Sequence, residues 1–548
     1  MQPVHALVVG AGPVGLTMAA ELARHGVPCR IVDKSPEPTD KSKALVLWSR
    51  SLELLRAIGC VDAFIAAGRP AHGMSLYGEG RRLVHFTFDD VDSPYPYALM
   101  IPQSETERLL NEHLRRLGVT VERPVELIAF KTDADAVLCT LRHASSTEEV
   151  IRVRWLVGCD GAHSTVRHSL GVAFAGEPEP HDWLLADAHV KGALPADEVS
   201  IFWHEEGLLA FFPIPPDRFR VIADTGGARA ADQPPVPTLA EVQAVVATRG
   251  PGDLTLLNAV WLTGFRIHER KVADYRHGDV YLAGDAAHIH SPAGGQGMNT
   301  GMQDAFNLAW KLGLVDRGRG REPLLESYNL ERGAVGEAVL RNTGAMTRIA
   351  TVRAPVAQQL RNRITSFLMS LEIVQQRMAS ALTEIDINYR SSPLSGEHRG
   401  PLAHAWLLGG GVAAGDRVPN VTLVDPATGS ARDLFDILRG THHVLLLFGG
   451  LYVTADTFPC LAGVQSAVAR DHGDEIDVHL VTAGADLPGD AVWTGSRWSD
   501  PWHELHRRFG VTTDALFLIR PDGYVGYRSQ PADVDGLLAH LQRYLVPR

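Results

Sequence analysis

Cysteine is scarce in this chain. Five residues in 548, Cys29, Cys60, Cys139, Cys159 and Cys460, stand far apart with no C-x-x-C pair. That excludes a disulfide framework or a structural zinc site and fits a reducing compartment, so a cytoplasmic location is expected. Met1 leads almost directly into a strand-like run with no basic segment, so no secretory signal peptide is read. No window supplies the roughly 18 consecutive apolar residues a membrane span needs. Positive charge is not in excess either: 52 Lys and Arg stand against 64 Asp and Glu, a net charge of −12, which argues against nucleic acid as a partner. No internal repeat is visible. What remains, 45% apolar and 21% charged residues, is globular composition, and the length suits about three domains.

The first segment with chemistry lies at the start. Ala6 to Val9 reads as a short buried strand. Gly10-Ala11-Gly12-Pro13-Val14-Gly15 follows, then an Ala/Leu-rich helical stretch to His25, with Gly26 as its C-cap. Val27 to Asp33 reads as a second strand ending in an acid. This is the strand–turn–helix–strand context the G-x-G-x-x-G fingerprint requires. One glycine allows the tight turn, one lets the backbone approach a pyrophosphate, and one lets helix and strand pack closely. The helix N-terminus offers free N–H groups to the phosphates, and Asp33 suits ribose hydroxyls. The segment is a dinucleotide site, and taken alone it does not choose between NAD and FAD.

Two later segments repeat the pattern. Trp155 to Cys159 is an apolar strand ending in the turn dipeptide Asp160-Gly161. Ser164 and Arg167 follow three apart on one helical face, so a carboxylate, a hydroxyl and a guanidinium are expected at one cleft. Gly278 to Ala283 is a third strand, ending in Gly284-Asp285. After it, His288-Ile-His290-Ser-Pro292-Ala293-Gly294-Gly295-Gln-Gly297-Met298-Asn299 opens a helix with Ala305, Leu308, Ala309 and Leu312 on one stripe. A glycine-rich loop before a helix presents backbone N–H groups to something electron-rich. His288 and His290 lack a third ligand at suitable spacing, so no metal is expected.

Together, Gly10-x-Gly12-x-x-Gly15, Asp160-Gly161 and Gly284-Asp285 resemble the three signatures of the class A FAD-dependent aromatic hydroxylases, the para-hydroxybenzoate hydroxylase-like flavoprotein monooxygenases. Ser49 to Glu53, Gln103 with Glu107, and Tyr328-x-x-Glu331-Arg332 resemble further segments of that family. The resemblance implies FAD, with Gly10, Gly12, Pro13, Val14, Gly15, Asp33 and Lys34 around its ADP half. Lys43, Gln103, Asp160, Gly161 and Arg167 are implied as further contacts, and Gly284 and Asp285 at the ribityl or pyrophosphate side. Pro292, Gly294, Gly295, Gly297, Met298 and Asn299 are implied along the isoalloxazine. NADPH or NADH would bind transiently and O2 would be consumed. A flavin C4a-hydroperoxide would then hydroxylate a phenolic or polycyclic polyketide substrate. Baeyer–Villiger insertion and antibiotic-inactivating hydroxylation on the same scaffold stay open, as does a non-catalytic flavin-binding protein.

The resemblance also sets the expected α/β architecture. A Rossmann-like FAD domain covers 1–75, 100–175 and 266–350. A β-sheet substrate domain is inserted at 76–99 and 176–265. A helical connector covers 351–400, and a thioredoxin-like α/β domain without a redox C-x-x-C covers 401–548. Phe202 and Phe211, with Pro292 and Ala293, are the candidate substrate contacts. His204 and Glu205 or Glu206 are candidates for a phenol base, and none is assigned. Apolar residues recur at steps of three and four from Val352 to Leu382, which reads as one long amphipathic helix beside the pocket or at a homodimer interface. A glycine run beginning at Leu407 reads as a linker. Arg520-Pro521-Asp522-Gly523 resembles a hairpin of the C-terminal domain of larger family members. Cys460 has no second thiol, so disulfide exchange is excluded.

Overall fold

A computed structural model describes residues 4–40, 42–227, 234–399, 411–484, 487 and 493–548. The expected linker lies mostly outside these residues. At the N-terminal end, short apolar runs form a six-stranded sheet in the order Arg276–His277, Val280–Leu282, Trp155–Gly158, Ala6–Val9, Cys29–Val32, Val121–Glu122. The strands bearing the three motifs are adjacent and parallel: Val9 pairs with Gly158, and Gly158 with Leu282. All three Gly/Asp loops therefore emerge side by side at the carboxyl ends of neighbouring strands, where open α/β sheets bind ligands. Helix Pro13–Arg24 packs on this sheet, and helix Gly297–Asp316 packs against that helix. The second is buried on nearly every side from Asn299 to Leu314, a wider contact than the single stripe read from sequence.

A second, eight-stranded sheet is built from Gly73–Gly78, Arg81–Thr87, Ala175–Lys191, Glu198–His204, Gly207–Ile214, Arg218–Asp224, Thr255–Lys271 and His288–Ile289. The period of two divides it cleanly. Ile201 opposes Ala210, which opposes Ile222, and these share one face. Phe202 and Phe211 share the other, where they pack with Phe219 under Val242 and Val246 of helix Leu239–Arg249.

The long helix expected from Val352 to Leu382 is two helices, Pro355–Leu368 and Glu372–Leu382. The break is made by local side-chain bonds to the backbone: Ser370 Oγ donates to Phe367 O, and Gln375 Nε2 to Met369 O. Such bonds offer the chain an alternative to continuing the helix. The C-terminal part is a mixed sheet centred on His443–Phe448, which pairs parallel with Ile476–Thr482 and antiparallel with Ala515–Ile519. Cys460 is exposed on helix Thr457–His472. No helix among the described residues is long and apolar enough to cross a membrane.

Candidate active site

The three loops enclose a cavity of about 560 Å³ with mixed polar and apolar walls. Its geometry begins with the glycines. Gly10 has φ +97°, and a Cβ there would meet Cys159 O at 2.5 Å. A Cβ on Gly15 would lie 1.8 Å from Gly10 O. Both are held by close backbone approach. Gly12 is different: a Cβ there would find nothing within 4 Å among the described residues, so open space lies in front of the first turn of helix Pro13–Arg24. Lys34 and Lys43 line the same cavity. A helix N-terminus with free N–H groups, an open glycine and two cations is a donor set suited to a pyrophosphate.

Asp160, Gly161 and Asp285 face the cavity too. Asp160 Oδ2 accepts from Val166 N at 3.2 Å, while its buried Oδ1 has no partner among the described residues. The Asp285 side chain is exposed to the cavity, yet the surrounding protein desolvates it and raises its carboxyl pKa, opposed by His288 and Lys43. Asp285, exposed to the cavity, and the lone pair left on Asp160 Oδ2 suit the hydroxyls of a ribityl chain. The residues present therefore fit FAD.

Gln103 lines the cavity, with Oε1 accepting from Ala44 N at 3.0 Å and Nε2 donating to Glu107 at 2.9 Å. Arg220, absent from the sequence reading, forms a two-pronged pair with Asp187 and donates to Lys43 O, fixing the 42–43 segment against the cavity. Pro13, Val14, Pro292, Gly295, Gly297 and Met298 complete the walls.

Some expected contacts sit elsewhere. Arg167 does not present its guanidinium to the cleft. Nη1 donates to Ala286 O and Nη2 to Ala162 O, and the group stacks 3.9 Å from the Phe174 ring, so it braces the second loop against the third. Ser164 caps its own helix by accepting from Arg167 N. Asp33 accepts from Ala11 N and Ser35 N and pairs with Arg123, which ties the fingerprint turn to the second strand. Gly284 takes φ +59° against Val14. The Asn299 side chain lines neither cavity. Oδ1 accepts from Trp48 N, and Nδ2 donates to Val46 O and Gly295 O, so Asn299 pins the glycine loop to the 46–48 segment.

A second cavity of about 380 Å³ adjoins the first. Both are walled by Val46, Phe212, Ile222, Ser291, Pro292 and Gly295. The second is apolar. The substrate sheet presents Ile201, Trp203 and Ala210 to it, helix Glu372–Leu382 presents Met378 and Leu382, and Ala293 and Gly294 close the loop side. Among the described residues its lining contains no Asp, Glu, His, Lys, Arg or Tyr. Phe202 and Phe211 are thus corrected as substrate contacts: they point to the opposite face of the sheet, one residue out of register with Trp203 and Phe212, which line the cavity. His204 and Glu205 line a different cavity of about 710 Å³ beyond the strand end, not the apolar one, and neither is placed as a base for this cavity.

Glu384 was also missed in sequence, for want of any motif. It follows the cavity helix Glu372–Leu382 with φ +59°. Its carboxyl, 1% exposed, accepts from Thr300 Oγ1 at 2.7 Å and from Gln303 Nε2, both on the helix that follows the glycine loop. Burial foremost, against Thr300 and Arg332, pushes its pKa up to about 8. A folded-state pKa above the unfolded value of 4.5 gives stability that is complete below 4.5 and lost as pH rises through about 8. Glu384→Gln should therefore match the wild-type melting temperature at the acid end of that window. Above the window it should exceed wild type by several degrees in thermal denaturation.

Residues 3–343 match the family described as FAD binding domain, and residues 412–547 match the C-terminal domain of aromatic-ring hydroxylases. The chain is 35% identical to 6-methylpretetramide 4-monooxygenase of Streptomyces rimosus, covering 99% of this chain and 94% of the relative. It is 33% identical to pentachlorophenol 4-monooxygenase of Sphingobium chlorophenolicum, covering 98% and 96%. Among solved structures, the OxyS anhydrotetracycline hydroxylase from Streptomyces rimosus superposes with a TM-score of 0.77 at 31% identity, over 99% of both chains.

Proposed function

The chain belongs to the FAD-dependent aromatic-ring hydroxylases, and on that premise we propose that its substrate is a large, flat, uncharged polycyclic aromatic compound held in the apolar cavity. The enzyme is an FAD-dependent monooxygenase that uses O2 and a nicotinamide cofactor. Bound FAD would supply the redox chemistry of the hydroxylation, with the nicotinamide as reductant and O2 as the source of the oxygen atom. The protein supplies position, polarity and dryness. The first turn of helix Pro13–Arg24, with Gly12, Lys34 and Lys43, receives the pyrophosphate. Asp160 and Asp285 receive hydroxyls. Trp48 Nε1 donates to Gly294 O at 2.8 Å, and with Asn299 this holds the glycine loop between the two cavities.

The observation that carries the reading is the shared wall at Ser291, Pro292 and Gly295. A ring system held in the polar cavity would meet a substrate held in the apolar one where the two cavities adjoin at these residues. With no ionisable side chain to pair it, a carboxylate or other charge on the substrate would be desolvated without compensation. The few polar groups there are already engaged in part: the Ser291 and Thr347 hydroxyls bond each other at 2.7 Å. Relatives named for 6-methylpretetramide and anhydrotetracycline are in keeping with this.

Anaerobic flavin bleaching by NADPH tests it. Uncharged polycyclic phenols should accelerate bleaching, and single-ring hydroxybenzoates should not. Acceleration by a hydroxybenzoate alone would overturn the substrate class. Ile201→Asp should abolish the acceleration while FAD stays bound, whereas Phe202→Leu, on the other face, should keep most of it.

A further inference from the structure

Helix Pro355–Leu368 turns polar side chains inward and apolar ones to solvent. On its inner face Gln358 and Asn362 are buried. Gln358 Nε2 donates to Val352 O at 2.9 Å and to Glu205 O at 3.2 Å. Asn362 Nδ2 donates to Glu79 Oε1 at 3.0 Å, and Ser366 Oγ to Leu83 O at 3.4 Å. These bonds fix the rotation of the helix, so the apolar stripe at 356, 360, 364 and 367 faces outward. Val356 is 80% exposed and Phe367 67%, and Leu360, Ile364 and Leu368 are exposed with them. A stripe at this spacing ordinarily lies against an apolar partner, and contiguous exposed apolar patches mark docking surfaces.

Charge and position indicate what covers the stripe. Between 345 and 382 stand five arginines and one acid, Glu372, in a chain of net charge −12. Arg353 pairs with Asp224, and Arg361 stacks 4.0 Å from the Trp203 ring. Arg348, Arg363 and Arg377 are exposed and, among the described residues, take part in no ion pair. The patch also meets the mouth of the apolar cavity. Arg361 donates to Ile349 O and Ala350 O at 3.3 and 3.2 Å, and the exposed Ile349 lines that cavity together with Thr365 and Met369. A second copy of the chain fits this face less well. A two-fold contact brings one patch onto itself, which sets arginine against arginine with Glu372 as the sole acid of the segment. A basic helix with an exposed apolar stripe is instead suited to lie in a lipid interface, where arginines gain from anionic headgroups. We propose that the outer face of helix Pro355–Leu368 docks on an anionic lipid surface, with the apolar cavity opening at its edge. An uncharged polycyclic substrate dissolved in that lipid then reaches the cavity without entering water. That consequence, unlike the docking, rests on the substrate class proposed above.

Sedimentation of the holoenzyme with lipid vesicles tests the docking. The wild type should sediment with vesicles of mixed phosphatidylcholine and phosphatidylglycerol. It should stay in solution with phosphatidylcholine alone, and high salt should release it from the mixed vesicles. Leu360→Gln combined with Phe367→Gln removes two inserted side chains and should weaken binding at least about tenfold. Arg363→Glu combined with Arg377→Glu should weaken it by about tenfold as well. Neither pair lines the polar or the apolar cavity, so flavin content, melting temperature and bleaching by NADPH in solution should match wild type. Absence of wild-type binding to the mixed vesicles, equal binding to phosphatidylcholine alone, or binding that either double variant retains would overturn the proposal. Concentration-dependent pairing of the wild type in light scattering, lost with the Leu360 and Phe367 substitutions, would also overturn it and seat a second copy on the stripe. Failure of the substrate class would look different: the protein would bind the mixed vesicles, yet no uncharged polycyclic phenol would accelerate bleaching.

Discussion

Gly12→Val should fold, unfold thermally like the wild-type apoprotein, and emerge from purification colourless. Gly12 has φ −77° and ψ −175°, extended backbone that any L-residue adopts, and a Cβ there meets nothing within 4 Å among the described residues. The fold therefore loses nothing. The space valine enters is the space in front of the free N–H groups of helix Pro13–Arg24, where the pyrophosphate must come close to the backbone. Losing that approach should weaken FAD binding by at least about two orders of magnitude, since several charge-assisted hydrogen bonds fail together. Gly15→Val should fail for another reason. Its Cβ would lie 1.8 Å from Gly10 O, so helix and strand must separate, at a cost of about 3 kcal/mol or more. Flavin absorbance per protein and apoprotein melting temperature separate the two cases. A yellow Gly12→Val protein would put the pyrophosphate elsewhere, and a stable Gly15→Val protein would mean the strand–helix contact is looser than the structure has it.

The glycine loops were legible in sequence because their geometry is local. A strand, a turn that only glycine can make and a helix start are encoded within some fifteen residues, and the same logic recurs twice downstream. The meeting of the three loops followed from strand order, which the motifs imply but do not state. The substrate face was not legible in the same way. Period two told that Phe202 and Trp203 point apart, but both faces of this sheet are apolar. One is covered by Val242 and Val246, the other borders a cavity, so composition could not choose between them. The helix break at 369–371 was hidden for a related reason. The apolar spacing runs through it undisturbed, and only the Ser370 and Gln375 side-chain bonds interrupt the backbone. Arg167, Asp33 and Asn299 were found by motif, yet in this structure their side chains brace loops. A motif records that a residue type is needed, not which atoms it faces. Glu331 shows the limit most clearly. Its partner Arg520 lies 189 positions away, so its role depends on how the C-terminal domain docks.

Arg520→Met should be strongly destabilising although it lies far from the cavities. Arg520 comes from the turn after strand Ala515–Ile519 and enters the first domain fully buried. Its guanidinium donates to Glu331 at 2.6 and 2.9 Å and to Asp522 at 3.0 Å. It also lies 5.3 Å from the Trp310 ring and 5.1 Å from that of Tyr389. Glu331 is further bonded by Asn307 at 2.6 Å and Lys311 at 2.9 Å, both on helix Gly297–Asp316. Methionine fills the volume but leaves two buried carboxylates with too little positive charge, a loss of about 3–5 kcal/mol. Lys at 520 keeps the charge but not the fork, so Arg520→Lys should fall between. The damage should not stay in one domain. Trp310, Leu314 and Leu324 share one apolar cluster with Leu445, Leu516 and Tyr544, so the two parts should unfold in a single transition at a lower temperature. The pH dependence carries the signature of the pair. Burial alone would raise the Glu331 pKa, but Arg520 and Lys311 hold it below its ordinary value of 4.5. A depressed carboxylate gives stability that is present above 4.5 and lost as pH falls below it. The gap between wild type and Arg520→Met in denaturant unfolding should therefore be widest near neutrality and narrow as acid protonates Glu331. A gap below about 0.5 kcal/mol at neutral pH would show that the domains are held by their shared apolar cluster and not by this ion network.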